Sequence, residues 1–239
     1  MIDVGGASSR PPGKTYGSGA PDVSIAEEIA RVVPVVGAIA REMRVSIDTT
    51  RAEVADAAVE AGASIVNDVS MGASDALLDV VARRRCELVL MHTRDGGRVD
   101  PTTTAYRDVV EDVLGELEGA IDRAVARGVP REAIWIDPGV GFAKTPSQSA
   151  ILVGATARFV ATGHRVLVAA SRKSFIARLA AYDGGTEPGV EDRLAGSIAA
   201  VTAAVLGGAH AVRVHDVAAS RQAVRVTLAM RGQERAPDA

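Results

Sequence analysis

The chain has 239 residues, 47% apolar and 24% charged, a composition that can bury a real core and excludes a disordered tail or a disulfide-stapled peptide. Lys and Arg number 27 against 30 Asp and Glu, a formal charge of −3 with no basic stripe, which argues against nucleic acid as a partner. The single cysteine, Cys86, excludes an internal disulfide and a multi-thiolate zinc cluster and suits a reducing, cytoplasmic setting.

Ile2 to Val4 reads as an opening strand, entered from Met1 without the basic and apolar stretches of a signal peptide. A Gly- and Pro-rich stretch follows near residues 10 to 22. Ser24 with Glu27 fits a capping box, and Ile25, Ile29, Val32, Val36 and Ile39 then repeat at helical spacing, with Pro34 expected to kink or break that helix. Val45 to Ile47 reads as the next strand, and Thr50 with Glu53 as a second capping box. Strands at Ile65 to Val66 and Leu88 to Met91 precede a long helical pattern from Tyr106 to Arg127, carried by Val109, Val113, Leu117, Ile121 and Val125. Ile134 to Ile136, Val166 to Val168 and Val212 to Val214 complete the strands.

The uncharged run from Ala195 to Val212 has the length of a short membrane span. Its Ala and Gly content, its Ser197, Thr202 and His210, and the Gly207-Gly208 break read instead as a buried helix followed by a buried strand, so no membrane partner is expected. After Met230 the chain turns polar, and the expected organisation is one domain over 1–231 with a polar tail over 232–239.

Near-continuous apolar strands alternating with helices imply an α/β fold with a parallel sheet covered by helices. There are roughly seven strand–helix units against the eight that close a TIM-type (β/α)8 barrel, so the barrel is incomplete by about one unit. A doubly wound open sheet is the rival, but no Gly-rich dinucleotide fingerprint follows any strand.

In such a barrel, catalytic groups stand at the carboxyl ends of strands. Asp3, Asp48, Asn67-Asp68, His92 and Asp137 end the first five strands, Ser171-Arg172-Lys173 follow the sixth, and Arg213 to Asp216 close the last. Any one of these could merely cap a helix or terminate a strand. Together on one rim they point to a polar ligand, because gathered buried charges are costly unless satisfied. Asp48, Asn67 and Asp137 suit a flat heterocycle rich in N–H donors, while Arg10, Lys173, Arg213 and His215 supply the opposite sign, so the ligand is expected to be a heterocycle carrying phosphate or pyrophosphate. Phe142 and Phe175, two of three phenylalanines, lie in loops where they could wall an aryl substrate.

Seven segments, Asp3-Val-Gly-Gly-Ala-Ser-Ser-Arg10-Pro, Ser46-Ile-Asp-Thr49, Val66-Asn-Asp-Val69, Leu90-Met-His92, Asp137-Pro-Gly-Val-Gly-Phe-Ala-Lys144-Thr, Ser171-Arg-Lys-Ser-Phe175 and Arg213-Val-His-Asp216, occur in this order over nearly the whole chain. Together they resemble the dihydropteroate synthase family. The resemblance implies a β/α barrel transferase that joins dihydropterin pyrophosphate to para-aminobenzoate, the sulfonamide-targeted step of folate synthesis. It implies that Asp48, Asn67, Met91, Asp137 and Lys173 bind the pterin, that Ser9, Arg10, Arg213 and His215 receive the pyrophosphate, and that Phe142 and Ser174 border the aminobenzoate. The catalytic group would be Lys173, Asp137, Arg213 and His215, with magnesium assisting departure of the pyrophosphate, no metal ligand assigned in this chain, and a homodimeric assembly.

The sequence departs from the family pattern in several places. The family's opening strand, loop and helix, with its magnesium-linked Asn, are not in this sequence, Ala7 replaces a usual Glu, Ala169 a usual Gly, and residues 14–20 lengthen the second loop. A non-catalytic or truncated pterin-binding paralogue is therefore the alternative. A folate-binding methyltransferase on a related barrel is the weaker rival, since no corrinoid-binding segment is recognisable.

Overall fold

The computed structural model describes residues 1–8, 23–181 and 185–232. Ser9, Arg10, the 14–20 insertion and residues 233–239 of the tail lie outside the described residues. Strand order follows the chain, β1-β2-β3-β4-β5-β6-β7, and the chain divides into two compact units, Met1–Arg98 with Val113–Ile136 and Val99–Asp112 with Asp137–Ala239.

In the first unit β1 (Ile2–Val4), β2 (Val45–Asp48), β3 (Ile65–Asp68) and β4 (Glu87–Met91) alternate with helices α1 (Ile25–Ile39), α2 (Ala52–Glu60) and α3 (Asp75–Arg84). All neighbouring pairs from β1 to β4 are parallel. Every residue of β2 and β3 is buried, as expected of strands covered on both faces. Ile47, Ile65, Leu77, Leu78, Leu88 and Leu90 form a fully buried core. It continues into Leu117 and Ile121 of α4 (Val109–Ala126) and Ile134 and Ile136 of β5 (Ile134–Asp137).

The Ser24 hydroxyl caps α1 by accepting the Glu27 N–H at 3.2 Å. Pro34 does not break the helix, which runs through it from Ile25 to Ile39; Val32 and Val36 on either side are 1% and 0% exposed, and their burial holds the face in place. The expected Thr50 cap is not formed. Arg51 is the N-cap of α2 and makes no side-chain capping bond, while the neighbouring Thr49 Oγ1 accepts the Arg51 N–H and donates to the buried Glu28. Helix α4 starts at Val109 and not Tyr106, since Asp108 Oδ1 takes the N–H groups of Val110 and Glu111 as a first-turn cap.

The second unit holds α5 (Pro146–Gly154), α6 (Thr156–Val160), β6 (Arg165–Val168), α7 (Ser174–Ala180), α8 (Leu194–Leu206), β7 (Ala211–Val212) and α9 (Val217–Met230). A complete capping box, Thr145 with Gln148 and Pro146 in the first turn, starts α5. The uncharged run from Ala195 to Val212 is a helix followed by a short strand that is only half-buried. No helix among the described residues is long and apolar enough to cross a membrane. Gly196 permits the close approach of α7 and α8, for a Cβ there would lie 2.3 Å from Ile176 Cγ2. Strands β6 and β7 pair in parallel, Val168 opposite Val212, and the ladder extends one step as the Arg213 N–H donates to Val168 O at 3.0 Å.

Candidate active site

Strand register places the first unit's polar residues on one face. Asp3 lies opposite Ser46, Asp48 opposite Asn67, and Asn67 opposite Val89. Alternate residues of a strand share a face, so Asp3, Asp48, Asn67 and Met91 all project to the same side. Asp48, Asn67 and Met91 are 7%, 5% and 3% exposed, and the Asn67 amide donates through Nδ2 to Asp3 Oδ2 at 3.3 Å.

Asp68, one residue on, belongs to the opposite face and has a different task. Its carboxylate accepts the Ser70 N–H, the Ser70 hydroxyl and the Gly72 N–H, at 2.8, 2.6 and 2.7 Å. Burial pushes its pKa above the usual carboxylate range in spite of these bonds. It is a loop staple. His92, also on the expected rim, is fully buried, its Nε2 3.0 Å from Glu116 Oε2, and Arg94 grips the same carboxylate. Burial opposes the Glu116 charge, but His92 and Arg94 outweigh it and hold the carboxyl down at about 2.

In the second unit Asp137, 2% exposed at the end of β5, accepts the Gly139 N–H at 2.7 Å. Burial pushes its carboxyl above the usual range, and the charges of Lys173, Lys144 and Arg213 together with the Gly139 bond oppose that shift. The following loop turns tightly, with φ of +68° at Gly139 and +83° at Gly141, which favours glycine at both. A Cβ on Gly141 would meet Lys173 Cδ at 3.4 Å. Lys173 donates to Val140 O and lies 4.9 Å over the Phe142 ring. The chain thus brings Asp137, Phe142 and Lys173 together, and Ser174, next in sequence to Lys173, opens α7.

Arg213 and His215 are both exposed in the loop after β7. Ser171 Oγ lies 3.2 Å from His215 Nδ1, and Arg172 is bound through two nitrogens by Asp216, at 2.9 and 2.6 Å. Arg172 raises no net positive field for a ligand, because Asp216 and Glu191 both pair with it.

Three polar residues, one in the first unit and two in the second, were not given a role by motif reading. Asp3 orients Asn67, Ser171 contacts His215, and Lys144 is a buried ammonium, 3% exposed, that donates to Phe142 O at 2.9 Å and lies 5.9 Å over the Tyr106 ring. A lysine closing a Gly-rich loop after a strand was the available signal for Lys144.

The chain matches the family of pterin binding enzymes over residues 1–215. It is 45% identical to the dihydropteroate synthase of Mycobacterium leprae over 230 residues, 95% of this chain and 78% of that one. The chain belongs to the dihydropteroate synthase family. Its fold is therefore an incomplete TIM-type α/β barrel of the family's kind, with seven strands among the described residues. The Xanthomonas albilineans dihydropteroate synthase with 4-aminobenzoic acid superposes with a TM-score of 0.84 at 36% identity, covering 96% of this chain and 79% of that one. The same enzyme with 7,8-dihydropteroate gives a TM-score of 0.80 at 34% identity, again covering 96% and 79%.

Proposed function

We propose that this chain is a dihydropteroate synthase, condensing dihydropterin pyrophosphate with para-aminobenzoate to give dihydropteroate and pyrophosphate in folate biosynthesis. The observation that carries the reading is the buried Asp137 carboxylate with Lys173, Lys144 and Arg213 acting on it, in a chain 36% identical to a synthase solved with 4-aminobenzoic acid. Residues 1–231 are taken as the pterin-binding domain and 232–239 as a polar tail.

Asp48 and Asn67 accept hydrogen bonds from the N–H edge of the pterin, and Met91 packs on the ring. Asp137 and Lys173 are assigned to the same substrate. Phe142 and Ser174 border the aminobenzoate, while Ser9, Arg10, Arg213 and His215 receive the pyrophosphate. The C–O bond to the pterin methylene breaks with its electron pair leaving on the pyrophosphate, and the aryl amine lone pair then forms the C–N bond and the amine loses a proton. No covalent bond to the protein is needed. Asp137 favours the positive pterin electrostatically, and Arg213 and His215 favour the departing anion.

The family resemblance implies magnesium, but among the described residues no group of three or more His, Cys, Asp or Glu could hold a metal ion. Magnesium held mainly by the substrate's own phosphates needs no such group, and no step here runs through the metal. We assign the enzyme to the cytoplasm on the strength of its free Cys86 and to a homodimer on the family resemblance.

Calorimetric titration tests the role assignment. Asp137→Ala should abolish binding of a pterin analogue, whereas His215→Gln should weaken pyrophosphate far more than pterin. Equal loss of both ligands in both variants would contradict it.

A further inference from the structure

Ser171 and His215 stand 44 residues apart in the chain, in the loops after β6 and β7. The His215 peptide N–H donates to Ser171 Oγ at 3.2 Å, and the same oxygen lies 3.2 Å from His215 Nδ1. A serine hydroxyl has two lone pairs and one proton. With one lone pair engaged by the peptide N–H, the hydroxyl keeps its proton to donate to Nδ1. A neutral imidazole that accepts at Nδ1 carries its own proton on Nε2.

Next to this pair a second contact fixes the same two loops. Arg172 holds Asp216 through two nitrogens, so consecutive residues of one loop grip consecutive residues of the other. Arg172 sits at φ +54°. Its N–H donates to Ser197 Oγ at 2.8 Å and its carbonyl accepts from Arg193 Nη1 at 3.0 Å, which holds the left-handed turn. Ser171 is 6% exposed, while His215 is exposed. The imidazole is therefore anchored on its Nδ1 side at a buried hydroxyl.

We propose that Ser171 is a positioning residue for His215, fixing the Nε2–H tautomer and the ring orientation so that Nε2–H donates to an oxygen of the departing pyrophosphate. This rests on the reading of His215 as a pyrophosphate-binding group.

The test combines nitrogen NMR of the imidazoles, with His215→Gln to assign the signal, and calorimetry with inorganic pyrophosphate on wild type, Ser171→Ala, His215→Gln and the double variant. Wild type should show His215 only as the Nε2–H tautomer when neutral, and Ser171→Ala a mixture. Ser171→Ala should bind pyrophosphate about tenfold more weakly, the size of one hydrogen bond to a charged group, with pterin affinity unchanged. In the His215→Gln background the serine change should add nothing, and Ser171→Thr, which keeps the hydroxyl, should restore affinity. A wild-type Nδ1–H tautomer, additive losses, or joint loss of pterin and pyrophosphate would overturn the proposal. If Ser171→Ala does not fold, the wild-type spectrum and Ser171→Thr decide. Wild type that binds no pyrophosphate would defeat both this proposal and the assigned role of His215, whereas wild type that binds it with His215 in the Nδ1–H form would defeat this proposal alone.

Discussion

The Asn67 amide is tied through Nδ2 to the Asp3 carboxylate, 3.3 Å away across the sheet. That bond decides which end of the amide is presented onward. With its NH2 group committed to a carboxylate, Asn67 offers its carbonyl as an acceptor beside Asp48, its partner in the neighbouring strand. Two adjacent acceptors match the N–H-rich edge of an aminopyrimidine ring, and a donor in either place would not.

Asp3 is accordingly expected to act on pterin affinity through Asn67. Asp3→Ala should weaken binding of a pterin analogue about tenfold, as loss of one hydrogen-bonded orientation would. Asp3→Asn can still accept from the amide through its own carbonyl and should stay within about threefold of wild type. Calorimetry on the two variants checks this, and equal losses would show that the charge of Asp3, and not its grip on Asn67, is what matters.

Much of the candidate site was legible because barrel strands carry candidate groups at their carboxyl ends: Asp48, Met91 and Asp137 are the last residues of their strands and Asn67 the last but one of its own. The division of labour between Asn67 and Asp68 was not legible. Adjacent polar residues look alike until the register puts them on opposite faces and three loop donors converge on Asp68. The same limit hid the Ser171–His215 contact, which depends on pairing between β6 and β7. Local rules failed where tertiary contacts set the chain's course: Thr49 ties the turn to Glu28 and holds the Arg51 N–H, and α2 begins one residue past the expected Thr50 cap. Burial of Val32 and Val36 likewise carries α1 through Pro34.

Asp137 should trade stability for function. Burial raises its pKa above 3.8 in the fold, so its contribution to stability is full below the unfolded value and is lost as pH rises through the folded one. Asp137→Asn keeps an acceptor for the Gly139 N–H without the buried charge. It should unfold at higher denaturant than wild type at neutral pH, with the gap closing in acid below 3.8, while losing pterin binding. Urea titrations over pH read the gap, and a variant less stable than wild type at neutral pH would contradict the charge argument.

Glu116 behaves with the opposite sign. Its carboxyl is held down at about 2 from 4.5, so its pairing with His92 and Arg94 contributes stability above the unfolded value and loses it as pH falls through the folded one. Glu116→Gln should therefore be less stable than wild type at neutral pH, and the difference should shrink between 4.5 and about 2. A difference that is constant over that range in urea titrations would assign the loss to packing alone.

Turnover is the most direct test. The purified chain, incubated with dihydropterin pyrophosphate, para-aminobenzoate and magnesium, should release pyrophosphate and form dihydropteroate in equal amounts, and Asp137→Ala should do neither. Pterin binding by wild type with no dihydropteroate formed would contradict the transferase assignment and leave a pterin-binding protein without synthase activity.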